Sequence, residues 1–325
     1  MLLLNRNDVM ELLEMSDCIQ VIEEAFVELA TGTAIMPLRT NITPSDGLSL
    51  YMPAYLKEMG ALGCKVVTSY KNNPIKHKMP TIMAKVLLQH PETGDVICIM
   101  DGGYLTAVRT GAASGVGTKY LARDTKGQKA GIFGAGVQGR AQLWAMAVVR
   151  ELAMAYVYDI VDDAAMEFVK EMSNKLNIEV VKADSPDHIL KEADIICTAT
   201  SSHKPIFSGD KVKEGTHING IGSHVPNARE LDTTIIKRSK IVADSYEACL
   251  NEAGDIIIPI QEGEIDKSHL YAELGDIITG KKQPRADEKE ITLFKSNGLA
   301  IQDVATAKLI YDKAVREGIG TEVQL

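Results

Sequence analysis

Lys129-Ala130-Gly131-Ile132-Phe133-Gly134-Ala135-Gly136-Val137-Gln138-Gly139 is the stretch on which the fold turns. Its first part, Lys129–Phe133, reads as a buried strand, and Gln138–Arg150 reads as a helix. Between them lies G-x-G-x-x-G, a weak signal alone. Here it follows a strand and opens a helix. Asp159 ends the next strand, and 159 − 139 = 20 residues is the spacing of a ribose-binding acid. Gly134 permits the tight turn, Gly136 lets the main chain approach a pyrophosphate, and Gly139 lets the helix sit close to the sheet. Val137 and Gln138 open that helix, whose N-terminus faces the phosphate charge. A carboxylate at Asp159 accepts both ribose hydroxyls of NAD and repels a 2′-phosphate. Ile160-Val161-Asp162-Asp163 offers no cation to hold that phosphate. The cofactor expected is therefore NAD(H), with NADP(H) left open.

Downstream the strand–helix alternation continues through Ala155–Tyr158, Ala164–Leu176, Val180–Ala183, Asp194–Ala199, His217–Ile221 and Ile241–Asp244. Strands separated by helices imply a parallel sheet with right-handed crossovers, an α/β doubly wound domain. Upstream the chain is mixed. Ser16 can cap a helix with Ile19, Ile22, Phe26 and Leu29 on one face and Glu23, Glu24 and Glu28 opposite; Gly32 ends it. Strand-like pieces follow at Ser49–Met52, Ala61–Tyr70, Thr81–Gln89 and Asp95–Met100, the last two joined as a hairpin by Pro91-Glu92-Thr93-Gly94. A helix rich in small residues runs from Leu105 to Leu121, and a final helix from Gly298 to Glu317 is expected to return to the first domain. These readings give a discontinuous α+β substrate and dimerisation domain, 1–125 plus 300–325, around a Rossmann domain at 126–299.

The chain has 325 residues, long enough for two domains, with 45% apolar and 24% charged residues. The formal charge of −9 argues against nucleic acid or an anionic membrane as partner. No apolar run reaches the ~18 residues of a membrane helix. The N-terminus does not read as a signal peptide, and five scattered cysteines without C-x-x-C suggest reduced thiols in a cytoplasm. None of the seven histidines pairs at metal-site spacing, so no metal is expected. His217, at a strand start, reads as structural. His90 and His188 sit in turn-like, solvated stretches.

Several motifs lie outside the glycine fingerprint. They are Met36-Pro37-Leu38-Arg39, Tyr51-Met52-Pro53-Ala54, Gly63-Cys64-Lys65-Val66-Val67, Met100-Asp101-Gly102 and Leu105-Thr106-Ala107-Val108-Arg109-Thr110-Gly111-Ala112. Gly215-Thr216-His217-Ile218-Asn219-Gly220-Ile221-Gly222 and Gly298-Leu299-Ala300-Ile301-Gln302-Asp303 complete the set. Together they resemble the ornithine cyclodeaminase/mu-crystallin family over essentially the whole chain. The resemblance implies a homodimer built through the first domain, NAD(P) on the second, and a small amino- or imino-acid substrate. It assigns Arg39, Lys65 and Arg109 to the substrate carboxylate, with Arg109 and Thr110 also touching cofactor phosphates. The residues agree, since holding a buried carboxylate takes cations, preferably a forked Arg. Thr198, Ser201, Gly220, Gly222 and Asp303 are further cofactor candidates.

Two departures from the family pattern bear on the reaction. Cyclodeaminases resembled here carry a Glu where this chain has Leu50 and an Asp where it has His224. The alanine dehydrogenase pattern wants an Arg and an Asp at the same two places. Cyclodeamination needs a base and an acid, and Leu50 is neither. The mu-crystallin-type ketimine reductases lack both carboxylates. The resemblance therefore implies NAD(P)H-dependent reduction of a ketimine acid, cyclic or formed from a 2-oxo acid and an amine. Lys65 and His224 are the catalytic candidates. His224 follows the strand that ends near the nicotinamide, where ligands of such sheets bind. A cyclodeaminase, an alanine dehydrogenase-like or opine-type dehydrogenase and a non-catalytic binding protein are the alternatives.

Overall fold

The computed structural model describes residues 1–324. The chain divides into two compact units, Met1–Thr110 with Leu299–Leu325, and Gly111–Gly298. The sequence reading set the division at the polar break after residue 125. The structure instead places the division inside one uninterrupted helix, Gly102–Leu121. The small residues of the helix's second half explain why. A Cβ at Gly111 would meet the Ala141 carbonyl at 2.5 Å, and one at Gly117 would meet the Phe294 ring at 2.8 Å. That half is therefore packed into the second unit.

In the first unit, a mixed sheet runs in spatial order Thr321–Glu322, Leu2–Leu4, Val96–Asp101, Ile82–Gln89, Ala61–Ser69, Leu48–Leu56 and Ala34–Ile35, with Thr40–Ile42 also on Leu48–Leu56. The 82–89 and 96–101 strands form the expected hairpin, with Gly94 left-handed at φ 74°. One face of the sheet is buried through Met52, Ala54, Val86, Leu88, Cys98 and Met100. The helices Met15–Thr31 and Ala300–Glu317 pack together in this unit, and the latter covers the strands from residue 48 to 89. On the other face, Pro53, Cys64, Leu87 and Ile99 form a half-buried apolar row across four strands.

Two local expectations are corrected. Ser16 does not cap the first long helix; Glu14 holds the N-cap position, and Ser16 lies inside the first turn, its hydroxyl donating to Asp17 at 3.5 Å. Glu28 is buried, not solvated. Its carboxylate accepts from Glu58 N (3.0 Å), Met59 N (2.9 Å) and the Thr33 hydroxyl (3.2 Å). A buried carboxylate persists only with such donors. Gly32 ends the helix at φ 79° as expected.

In the second unit, the sheet order is Glu179–Lys182, Leu152–Tyr158, Gln128–Phe133, Ile195–Thr198, His217–Gly220, Ile291–Lys295, Ser239–Ala243 and Leu270–Glu273, all parallel. Apolar clusters cover both faces, as a parallel sheet requires. The strand order reverses between Gln128–Phe133 and Ile195–Thr198, and ligands of such sheets bind at the carboxyl ends beside that switch point. His217 is structural: fully buried, its ring meets Thr292 Oγ1 at 2.9 Å and Asn219 Oδ1 at 3.3 Å. Burial, chiefly, and the Arg285 charge push its pKa down to about 3.

Candidate active site

The buried face of the first sheet carries Lys65, in register between Met52 and Val86. Its side chain is 2% exposed. Withdrawing an ammonium from water costs several kcal/mol, so it needs a buried counter-charge. Asp303 supplies it from the first turn of the C-terminal helix. Lys65 Nζ lies 2.7 Å from Asp303 Oδ2 in a buried ion pair. Arg109 Nε donates to the other oxygen at 2.8 Å, and Arg109 Nη1 donates to Gln302 Oε1 at 2.5 Å. The Gln302 Nε2 donor is buried without a partner.

Burial, first, and the Arg109 charge push the Lys65 pKa down to about 8, against the opposing pull of Asp303. Arg39, half-buried just before the strand Thr40–Ile42, also lowers it. The structure thus brings Lys65, Arg109 and Arg39 into one electrostatic cluster with a single carboxylate between two of them. Asp303, expected at the cofactor, has both oxygens engaged by cations and is fully buried. It orients the cations. Leu50 lies opposite Val67 on the Lys65 face, half-buried, so hydrocarbon stands where the resembled enzymes carry an ionisable group.

In the second unit, the residues of the glycine fingerprint form a cradle. Gly134 has φ 99°, and a Cβ there would strike the Ala199 carbonyl at 2.5 Å; one at Gly139 would strike the Gly134 carbonyl at 2.1 Å. A Cβ at Gly136 would meet nothing within 4 Å and would fill the open cradle. Helix Val137–Val149 starts there without a side-chain cap, leaving its first N–H groups for an anion. Asp159 accepts from Ala135 N (2.8 Å) and Val161 N (2.9 Å), which fixes it beside the cradle while each oxygen keeps lone-pair capacity. These features fit a dinucleotide.

The other expected cofactor residues sit at the ends of neighbouring strands. Thr198 is fully buried and belongs to the environment of Glu230. Ser201 is exposed; Gly220 ends its strand and Gly222 lies in the loop beyond. His224 is exposed on that loop, its Nδ1 at 2.8 Å from the Gly222 carbonyl.

Sequence reasoning missed the charges beneath that loop. Lys295, fully buried, donates from Nζ to Gly220 O (2.9 Å) and Ser223 O (2.8 Å) and lies 3.4 Å from Asp255 Oδ2. Asp255 Oδ1 accepts from Glu230 N (2.8 Å) and Leu231 N (3.0 Å). A lone cation ending the apolar run Ile291-Thr292-Leu293-Phe294 was the available signal for Lys295. Glu230 lies in the polar run Arg229-Glu230-Leu231-Asp232, which gave none.

Residues 1–318 match the model of the ornithine cyclodeaminase/mu-crystallin family. Among solved structures, the chain is similar to the Thermococcus litoralis Δ1-pyrroline-2-carboxylate reductase in complex with NADH and L-proline: TM-score 0.95, 49% identity, covering 99% of this chain and 100% of that one. It is also similar to an archaeal alanine dehydrogenase dimer with bound NAD: TM-score 0.93, 37% identity, covering 99% and 98%. A Δ1-pyrroline-2-carboxylate reductase of Bacillus cereus is 36% identical over 327 residues, the whole of both chains. The buried cation cluster and the glycine cradle therefore belong to a member of the ornithine cyclodeaminase/mu-crystallin family.

Proposed function

We propose that this chain is an NADH-dependent reductase of the C=N bond of ketimine carboxylates, cyclic ones of the pyrroline-2-carboxylate type above all, giving the amino acid. The observation that carries the reading is the composition of the Lys65 face. It presents cations and hydrocarbon, and its carboxylate, Asp303, is already held by Lys65 and Arg109. Such a face binds an α-carboxylate, and its one carboxylate is not free to strip protons from an amine. The relatives named pyrroline-2-carboxylate reductase support the same chemistry.

Gly134, Gly136, Val137, Gln138, Gly139 and Asp159 would hold the cofactor, which supplies a hydride to the imine carbon when bound. Asp159 favours NAD(H) over NADP(H). Arg109, forked and fixed by Asp303 and Gln302, takes the substrate carboxylate with Arg39. Lys65, with a pKa of about 8, keeps its proton at neutral pH and can give it to the imine nitrogen. Such donation contributes ~10²–10⁴-fold. Water is the alternative donor. The apolar row Pro53, Cys64, Leu87 and Ile99 fits burial against a second copy in a homodimer. No helix among the described residues is long and apolar enough to cross a membrane. The five unbridged cysteines fit a reducing compartment such as the cytoplasm.

The test compares two readouts. With a cyclic imino acid and NADH, the nicotinamide absorbance should fall in step with product. With ornithine, lysine or alanine, turnover should be slow. Ammonia release from ornithine at high rate, with no net nicotinamide change, overturns the reading in favour of cyclodeamination.

A further inference from the structure

Two loops leave adjacent parallel strands of the second unit at their carboxyl ends, one after Thr198 and one after Gly220. The side chain of Glu230, 0% exposed, joins them. Its Oε1 accepts from both Thr200 N (2.6 Å) and Thr200 Oγ1 (2.6 Å), and its Oε2 accepts from Gly222 N (2.8 Å). Gly222 has no room for a side chain because of it: an added Cβ would lie 2.4 Å from the Glu230 carboxylate. The second loop is gripped at both ends as well, by Lys295 on the Gly220 and Ser223 carbonyls at its start and by Asp255 on Glu230 N and Leu231 N at its far end. Between these grips, residues 224–227 are exposed.

We propose that Glu230 is a positioning residue for the cofactor: its carboxylate clamps the Thr200 and Gly222 loops together at the edge of the sheet where the nicotinamide half of NADH binds. A buried carboxylate without strong donors would be costly, so its three hydrogen bonds couple the two loops tightly. Released from Glu230, each loop would have to be ordered by the cofactor itself, which weakens binding. Burial, first, and the neighbouring Asp255 raise the Glu230 pKa. The charged or ionisable groups around it are Asp255 from the helix Gly254–Gln261, Lys295 from the strand Ile291–Lys295, which pairs with Asp255, and the Cys197 thiol. The inference rests on the reading that NADH occupies this edge.

Glu230→Gln separates the two loops. Its amide oxygen can still accept from Thr200, but its NH₂ then faces the Gly222 N–H, so that loop is released. NADH binding is measured directly by nicotinamide fluorescence, and KM for NADH and for the imino acid by steady-state kinetics. The expected result is about a tenfold rise in NADH Kd and KM, equal to about 1.4 kcal/mol, with imino-acid KM within about twofold of the unaltered enzyme. Thr200→Val, at a half-buried loop site, removes only the hydroxyl donor and should raise NADH Kd about threefold; it decides the matter if Glu230→Gln does not fold. Unchanged NADH Kd in the folded variants overturns the clamp alone. A parallel rise in both KM values means general loosening and also overturns it. Failure of the unaltered enzyme to bind NADH overturns the cofactor reading and the clamp with it.

Discussion

Asp303→Asn keeps the size of the side chain and removes the charge that Lys65 and Arg109 share. At 2.7 and 2.8 Å, each attraction is about 6 kcal/mol at an effective dielectric of about 20. Desolvation and the amide dipole offset part of it, and breaking a buried pair costs ~3–5 kcal/mol in practice. Divided between two cations, that leaves roughly 1.5–2.5 kcal/mol acting on Lys65, or about 1–2 pKa units. Asp303 raises the Lys65 pKa, so its loss lowers it, from about 8 to roughly 6–7. With the protonated amine as the proposed donor, activity should fall as pH rises through this pKa. The alkaline limb of kcat/KM for the imino acid should therefore move toward acid. At pH 8 the variant should be roughly 5–50-fold slower, and near pH 6 within about twofold, from the protonated fractions alone. The assay is kcat/KM by nicotinamide absorbance between pH 5.5 and 9, with Lys65→Met alongside. An unmoved limb in Asp303→Asn refutes the reasoning. A limb that persists in Lys65→Met belongs to the substrate.

Arg109→Lys should lower kcat/KM by an amount equal to ~2–5 kcal/mol, because a point charge cannot bridge Asp303, Gln302 and a substrate carboxylate as the fork does; unchanged kcat/KM for the imino acid removes Arg109 from the site. Asp159→Ser combined with Ile160→Arg should shift the ratio of kcat/KM values toward NADPH by about tenfold or more, through loss of repulsion and gain of a phosphate partner. An unaltered enzyme that already prefers NADPH contradicts the assigned role of Asp159.

The second unit was legible because its devices are local. A turn that needs φ 99° at Gly134, a helix start pressed on the Gly134 carbonyl and an acid after the next strand all lie within 26 residues (159 − 133). The cation cluster was legible in part. Lys65 and Arg109 stand out as single charges among apolar or small residues. Asp303 does not reveal its partners, because pairing Arg109 with a residue 194 positions away is a tertiary fact. Buried polar groups were misread for the same reason. Glu28 follows the helical period of a solvated face, but the turn at Glu58 and Met59 folds back over it. The boundary read at residue 125 differs from the division into compact units because polarity marks where a chain meets water, whereas the units divide where packing changes along one continuous helix.

Pyrroline-2-carboxylate reductases reach 49% and 36% identity and an archaeal alanine dehydrogenase dimer 37%, but identity alone places no proton. The choice rests on what surrounds the reacting nitrogen. A deaminating enzyme must remove a proton from an ammonium before the bond to nitrogen can be oxidised, which calls for a base beside the site. On the Lys65 face Asp303 is not available as that base, because protonating it would leave Lys65 and Arg109 as uncompensated buried charges, and Lys65 itself, with a pKa of about 8, is mostly protonated at neutral pH. An imine arrives with its nitrogen already oxidised and needs only a proton and a hydride. A lysine that stays protonated at neutral pH, a fixed guanidinium and a hydrocarbon at Leu50 meet that lesser demand.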